Sequence, residues 1–384
     1  MKKIVHVITR FINGGAEENT LITCNYSAKI GDDVYLIIGK EFQKEILSKI
    51  HPKVKLILIK NLKREINIFN DLLAFYRIYL FIKKIKPSIV HTHESKAGTI
   101  GRLAAFFSNS KIIIHTVHIL PFLNVNIFKK FIYILIERLL SLITSQYICV
   151  SKGMLDQSLK YKIGIRKKYK VIHSGFDIKK FKKASKKSNL LKKYKFVNSK
   201  TKIILVLGAF EERKRHYEIL KVFLKIIKYH KNTVLLFVGS GKLITKIKQY
   251  VVKKKILNKV IFTGYKNDPE NYIALSNICL MYSIREGLPR VVPQYIASGK
   301  PVITSNLPGI KEIVKNNYNG YIISMYNQKE LYSKLSLLLS NSKILKKLSV
   351  GATKTDITKW SIDKMPLKVN KLYSQLQKNV NRNK

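Results

Sequence analysis

KIVHVITRFINGGAEEN, residues 3–19, is a run of β-branched and apolar residues that stops at a Gly-Gly pair and passes into a helical pattern from about Ala16. A strand, a glycine turn and a helix in that order open a βα unit. The alternation continues through VYLIIG (34–39), VKLILI (54–59), a long helical stretch ending before Pro87, SIVHTH (88–93), KIIIHTV (111–117), a helix around residues 131–143, QYICV (146–150) and KVIHSG (170–175). Near-continuous apolar runs of this kind are parallel strands buried on both faces. A Lys-rich segment, KKASKKSNLLKKYKFVNSK (182–200), then breaks the pattern. A second series follows: TKIILVLGAF (201–210), NTVLLFVG (232–239), KVIFTGY (259–265), NICLMYS (277–283), KPVITS (300–305) and NGYIIS (319–324). The fold class read from this order is α/β, with two doubly wound, Rossmann-like parallel-sheet domains. The expected boundaries are 1–182 for the first domain, 183–200 for a linker and 201–359 for the second, with a helix at 360–378 returning to the first. Two such domains imply a cleft, and open α/β sheets bind ligands beyond the carboxyl ends of their strands.

Composition narrows the function. The chain has 384 residues, and Lys+Arg 73 against Asp+Glu 22 leaves a formal charge of +51. That excess calls for a polyanionic partner: nucleic acid, an anionic membrane face or a phosphorylated small molecule. Nucleic acid is the weakest of these, since the Lys residues are scattered and no recognition helix or aromatic RNA-binding motif accompanies them. Cys24, Cys149 and Cys279 form no C-x-x-C spacing, so neither a disulfide framework nor a zinc finger is encoded. MKKIVHVITRF reaches Arg10 too early for a signal peptide, and FIYILIERLLSLIT (131–144) is broken by Glu137 and Arg138, which excludes a membrane span. The expected location is the cytosol, peripheral on the inner face of the plasma membrane. Residues 128–143 could lie in the membrane interface with Lys129 and Lys130 at the start, or cover the sheet as a core helix.

Several motifs carry chemistry. Gly14 and Gly15 let backbone N–H groups approach a phosphate at a helix start, although a plain tight turn has the same composition. VGSGKL (238–243) lacks the upstream Gly and the Ser or Thr of a phosphate loop. His91 and His93 alternate onto one strand face with no local third ligand, so no metal is assigned there. No D-x-D is present, and the adjacent Asp32 and Asp33 diverge on a strand. GAFEERKRH (208–216) places Arg213, Lys214 and Arg215 just after the first strand of the second series, where they suit a diphosphate or, more simply, a solvated helix start. In SIREGLPRVVPQYIASGKPVITS (283–305), Glu286 precedes Gly287-Leu288-Pro289, Pro289 suits the first turn of a helix, and Gln294 lies about two turns beyond Glu286.

Taken in order, NGGAE, HTHESKAGTIGRLAA, TVH, YICVSKGM, VIHSGFD, LLFVGSG, VIFTGY and REGLPRVVPQYIASGKPVITS resemble family 4 of the retaining GT-B glycosyltransferases over nearly the whole chain. The resemblance implies a metal-independent transfer of a hexosyl group from a nucleotide sugar, with UDP expected from family frequency, to a lipid-linked or saccharide acceptor in cell-surface polysaccharide synthesis. No cofactor and no metal are implied. By the same resemblance Gly14 and Gly15 meet the donor diphosphate and His118 contacts the donor sugar. Lys214 is the phosphate-binding Lys, Glu286 binds sugar hydroxyls, Gly287 and Leu288 offer backbone N–H groups, and Tyr265 lies near the nucleobase. Glu17 and His93 fall on the acceptor side. Two positions depart from the family pattern: Gln294 replaces the second Glu of E-x7-E, and Ala209 replaces an Arg, leaving Arg213 as the substitute cation. The rival readings are a GT-B sugar-nucleotide epimerase, which needs no acceptor, and a basic nucleic-acid-binding protein.

Overall fold

The computed structural model describes residues 1–382 apart from 185–187, 192–193 and 195. It divides into two compact units, Met1–Gly175 with Lys359–Lys384, and Phe176–Thr358. The first contains β1 (Lys3–Phe11), α1 (Gly15–Lys29), β2 (Asp33–Phe42), α2 (Lys44–Leu47), β3 (Val54–Leu58), α3 (Ile68–Ile85), β4 (Ile89–His93), α4 (Ser95–Phe107), β5 (Ile113–Val117), α5 (Ile127–Ile143), β6 (Gln146–Cys149), α6 (Lys152–Lys160) and β7 (Tyr169–Val171). Its seven strands run parallel in the order β3-β2-β1-β4-β5-β6-β7. The reversal of order beside β1 is the switch point at which doubly wound sheets hold ligands.

The second unit runs through α7 (Ile178–Lys183), β8 (Lys202–Leu207), α8 (His216–Tyr229), β9 (Thr233–Val238), α9 (Ile244–Lys253), β10 (Val260–Phe262), α10 (Pro269–Leu275), β11 (Ile278–Met281), α11 (Val291–Ala297), β12 (Val302–Ser305), β13 (Gly320–Ile323), α12 (Gln328–Ser340) and α13 (Ser342–Lys354). Six parallel strands follow the order β10-β9-β8-β11-β12-β13, with the switch between β8 and β11. An apolar cluster that includes Val206, Phe223, Leu235, Phe237, Leu280 and Ile303 packs one face of the sheet against its helices. The last helix, α14 (Lys364–Arg382), packs with α1 in the first unit.

The division falls at Gly175, earlier than residue 182. Phe176 and Phe181 meet edge to face with ring centroids 5.3 Å apart, and the Phe181 carbonyl accepts a hydrogen bond from Ser298 Oγ at 3.3 Å. Both aromatic rings are thereby buried in the second unit. The expected linker, 183–200, lies partly outside the described residues, but Leu191 within it is buried.

Candidate active site

In the second unit, the loops that follow β8 and β11 leave the carboxyl ends of adjacent strands, so residues far apart in sequence meet there. After β8, Glu212–Lys214 forms a 3-10 turn and Arg215 takes a left-handed conformation before α8. After β11, Ser283 and Glu286 turn back towards it. Ser283 Oγ lies 2.9 Å from the Arg213 carbonyl and 3.2 Å from Glu286 Oε1, and the Ile284 amide donates to the Arg213 carbonyl at 3.0 Å. Glu286 Oε1 also pairs with Arg213 Nη1 and with Lys214 Nζ at 2.7 Å. Glu211 holds the other side of Arg213, Nε to Oε2 at 2.7 Å.

The electrostatics follow from this packing. Burial alone would raise the Glu286 carboxyl, but the Arg213 and Lys214 charges hold it below the ordinary carboxylate range. Lys214 is lowered because burial outweighs the attraction of Glu286 and Arg213 repels it, whereas Arg213 is raised, its two carboxylates overcoming burial. Glu286 is thus an internal counter-ion as well as a carboxylate at the strand end. All three of its contacts converge on Oε1, so Oε2 retains its lone pairs for a hydroxyl.

The other expected residues of this unit surround the same strand ends. Gly239, just after β9, has φ +149, and a Cβ there would stand 2.0 Å from the Gly208 carbonyl oxygen, so only glycine permits this approach of the two loops. Tyr265 follows β10, is 41% exposed and sits beside Gly264, whose carbonyl accepts from the Gly239 amide at 2.9 Å. Gly287 and Leu288 form the turn leaving Glu286. Helix α11 begins only at Val291, with Arg290 as its N-cap, so Pro289 lies just outside the helix that it was expected to start. Gln294 is half-buried on that helix, one turn before Ser298, whose amide donates to its carbonyl at 3.1 Å.

In the first unit, Gly14 is the N-cap of α1 in extended backbone, with its carbonyl accepting the Glu18 amide at 3.0 Å. A Cβ on Gly14 would lie 2.4 Å from Glu17 Oε2, so the glycine makes room for that carboxyl. Glu17 is 3% exposed, and burial followed by the charge of Glu94 pushes its pKa up to about 8. Glu94 itself, the N-cap of α4 at φ 59 and ψ 168, holds a conformation that is essentially glycine's alone. Its carboxylate lies 3.9 Å from Arg10.

His93 and His118 meet, Nδ1 to Nε2, at 3.3 Å, and Gly15 is exposed at the head of α1. The sequence offers no local third partner for His91 and His93, and β1 supplies one. His6 stands in register with His91, and its Nδ1 is 3.0 Å from His93 Nε2. One ligand atom from each of His6, His91 and His93 lies within 4.8 Å of the others, a spacing compatible with a metal ion. Most of the nitrogens are already used: His91 reaches Tyr373 Oη at 2.5 Å and Thr116 Oγ1 at 2.7 Å, and His93 bonds both His6 and His118, while His6 Nε2 is buried without a partner. Burial drives His6 down to about 3 and lowers His91 and His93, so the three imidazoles are neutral, with His6, His93 and His118 in one hydrogen-bonded row and His91 bonded instead to Tyr373 and Thr116. His6 was missed because nothing local marks it; the adjacency of β1 and β4 is the signal that finds it. Glu211, Ser283 and Glu94 were missed for the same reason, since each acts through a neighbour brought up by the sheet. Asp32 and Asp33 serve structure, pairing with Lys2 and Lys55.

The comparisons with known proteins bear on the family and the fold. Residues 13–180 match the Glycosyltransferase Family 4 model and residues 187–355 match the Glycosyl transferases group 1 model. A UDP-Gal:alpha-D-GlcNAc-diphosphoundecaprenol alpha-1,3-galactosyltransferase of Escherichia coli is 26% identical over 324 residues, spanning 83% of this chain and 84% of that protein. The Staphylococcus aureus capsular polysaccharide biosynthesis glycosyltransferase CapM is 28% identical over 309 residues, 78% of this chain and 80% of its own. Among solved structures, Anabaena HepE in complex with UDP and glucose superposes with a TM-score of 0.79 at 15% identity, covering 97% of this chain and 100% of that one. Sucrose-phosphate synthase from Thermosynechococcus elongatus gives 0.80 at 17% identity, covering 98% and 99%. With one family model on each unit and the same two-sheet architecture in its structural neighbours, the chain belongs to the family 4 glycosyltransferases of GT-B fold.

Proposed function

We propose that this glycosyltransferase moves a hexosyl group, with retention and without a divalent cation, from a UDP-linked sugar to a lipid-linked or saccharide acceptor in capsule or related cell-surface polysaccharide synthesis. The observation that carries the proposal is the convergence of Arg213 and Lys214 on Glu286 at the switch point of the second sheet. Departure of the nucleotide builds negative charge on the diphosphate, and two half-buried cations held in place by a carboxylate are preorganised to receive it. Glu286 Oε2 accepts a sugar hydroxyl while Oε1 keeps the cations aligned. The Gly15 amide at the head of α1 meets the diphosphate, the Gly14 amide being donated to the Ile12 carbonyl at 2.8 Å, and His118 contacts the donor sugar. Tyr265 packs near the base and Gln294 hydrogen-bonds the ribose. Glu17 and His93, both buried, are assigned to the acceptor side as supports of its wall rather than as direct ligands. The leaving phosphate oxygen takes the acceptor proton on the same face as attack, so no protein base is assigned.

The acceptor and the nucleotide are argued by likeness. The E. coli relative is named for UDP-galactose and a diphosphoundecaprenol acceptor, the S. aureus relative for capsular polysaccharide, and the HepE structure holds UDP. The net charge of +51 suits work at the inner, anionic face of the plasma membrane.

The test is isothermal titration of the protein with UDP, GDP and ADP in EDTA at about 150 mM salt, which suppresses nonspecific attraction. Saturable 1:1 binding of UDP is expected. Binding that requires a divalent cation, or a preference for GDP or ADP, overturns the corresponding part of the proposal.

A further inference from the structure

Helices α3, α4 and α5 lie side by side in the first unit, α4 packing against both neighbours. Of the 17 residues of α5, only Glu137, Leu140 and Ser141 are buried. Its outward face carries Ile127, Phe128, Phe131, Leu135, Leu139 and Leu142, spaced as one stripe along the helix, with Phe128 72% and Phe131 67% exposed. Helix α3 buries Ala74, Ile78 and Ile82 and turns out Ile68, Phe69, Leu72, Tyr76 and Leu80 with the same spacing, Phe69 being 70% exposed. Phe106 and Phe107, also exposed, close the end of α4, and Phe107 meets Phe75 of α3 edge to face at 5.9 Å. A monomer rarely leaves apolar surface of this extent to water.

The charges around the stripes choose the occupant. Each helix carries a single acidic residue, and both are neutralised: Asp71 pairs with Lys96 at 2.6 Å and Glu137 is held by Arg102 at 3.0 Å. The basic residues Lys83, Lys84, Lys129 and Arg138 are exposed. An apolar stripe flanked by cations fits an anionic leaflet, into whose interface the rings enter while the lysines stay at the headgroups. A second copy of a chain with net charge +51 would bring like charges together on that face. No helix among the described residues is long and apolar enough to cross a membrane, so the contact is interfacial.

We infer that α3 and α5, with the end of α4, form one membrane-docking face that lays the first unit flat on an anionic lipid surface. The inference rests on the membrane-side acceptor proposed above and names the surface that meets it. Docking by two helices fixes orientation as well as proximity, which a single helix, free to roll about its axis, would not.

The experiment is cosedimentation of the full chain with phosphatidylcholine vesicles with and without phosphatidylglycerol, beside the UDP titration. Wild type is expected to bind the anionic vesicles, and Phe128→Ser/Phe131→Ser or Phe69→Ser/Leu72→Ser each to weaken binding by about tenfold or more while UDP affinity is unchanged. Equal loss from either helix is what one shared face requires; loss from α5 alone overturns the two-helix face. Failure of wild type to bind the vesicles overturns the inference. So does a concentration-dependent dimer in sizing that these substitutions abolish, since the face would then join copies of the chain. Vesicle binding without UDP binding would sink the donor reading and leave the docking face standing.

Discussion

The proposed donor site turns on Glu286. Its carboxylate is ionised because Arg213 and Lys214 offset its burial. Its folded pKa lies below the ordinary 4.5, so the stability it contributes is present above that pH and is lost as pH falls through the lower folded value. Glu286→Ala and Lys214→Ala are each expected to lower kcat by ~100-fold or more with little change in far-UV circular dichroism. Near-normal turnover by either variant would remove the site. Gln294→Glu should retain substantial activity, because a carboxylate can accept the same ribose hydroxyl; complete loss would assign the amide a specific donor role. Glu17 behaves in the opposite sense to Glu286. Raised to about 8, it keeps its proton in the folded chain while the unfolded chain ionises near 4.5, so its contribution is full below 4.5 and is lost as pH rises towards 8. Glu17→Gln should therefore raise the melting temperature at pH 8 and leave it nearly unchanged at pH 4.5, measured by thermal unfolding across that range.

At the scale of elements, the buried pair between α4 and α5 deserves its own test. Arg102 Nη2 reaches both Glu137 oxygens at 3.0 Å, Arg102 Nε donates to the Gly98 carbonyl at 2.7 Å, and the guanidinium is fully buried. Glu137→Gln leaves a buried charge without its counter-ion, a loss of about 3–5 kcal/mol, whereas Arg102→Met/Glu137→Leu should recover most of it. Comparing the unfolding midpoints of the single and double variants decides the matter; equal loss in both would mean that the pair is not acting as a pair. The same two residues show how far sequence reading reaches. Glu137 is visible as an interruption of an apolar helix, and no helix among the described residues is long and apolar enough to cross a membrane. Its partner, Arg102 in the preceding helix, was not legible, because the pairing depends on α4 and α5 packing side by side. The strands were legible throughout, since seven apolar runs in the first half and six in the second became β1–β13. Helix starts were less so: the rigid φ of Pro289 suits a first turn, but the chain reaches back to Arg213 through Ser283, Arg285 and Glu286, and α11 begins only at Val291.

Across the whole molecule, buried neutral histidines make the fold sensitive to acid. Burial lowers His6 and His216 to about 3 and also lowers His91, His93 and His115. A histidine with a folded pKa below 6.5 binds fewer protons folded than unfolded, so each contributes stability that is present above 6.5 and lost as pH falls. The unfolding midpoint is expected to drop steeply between pH 6.5 and about pH 5, and a flat profile there would contradict the neutral histidines. The sequence by itself determined the two parallel-sheet units and placed Gly14, Lys214, Tyr265 and Glu286 at strand ends, because hydrophobic period and glycine turns are local signals that survive without tertiary context. Only the tertiary structure decided which residues those positions meet. Strand order sets His6 beside His91 and sets Ser283 and Glu286 against Arg213, and helix packing decides which apolar side chains of α3 and α5 find no partner. An apolar residue has the same sequence signature whether it faces a sheet or faces out, and only the packing of its neighbours separates the two.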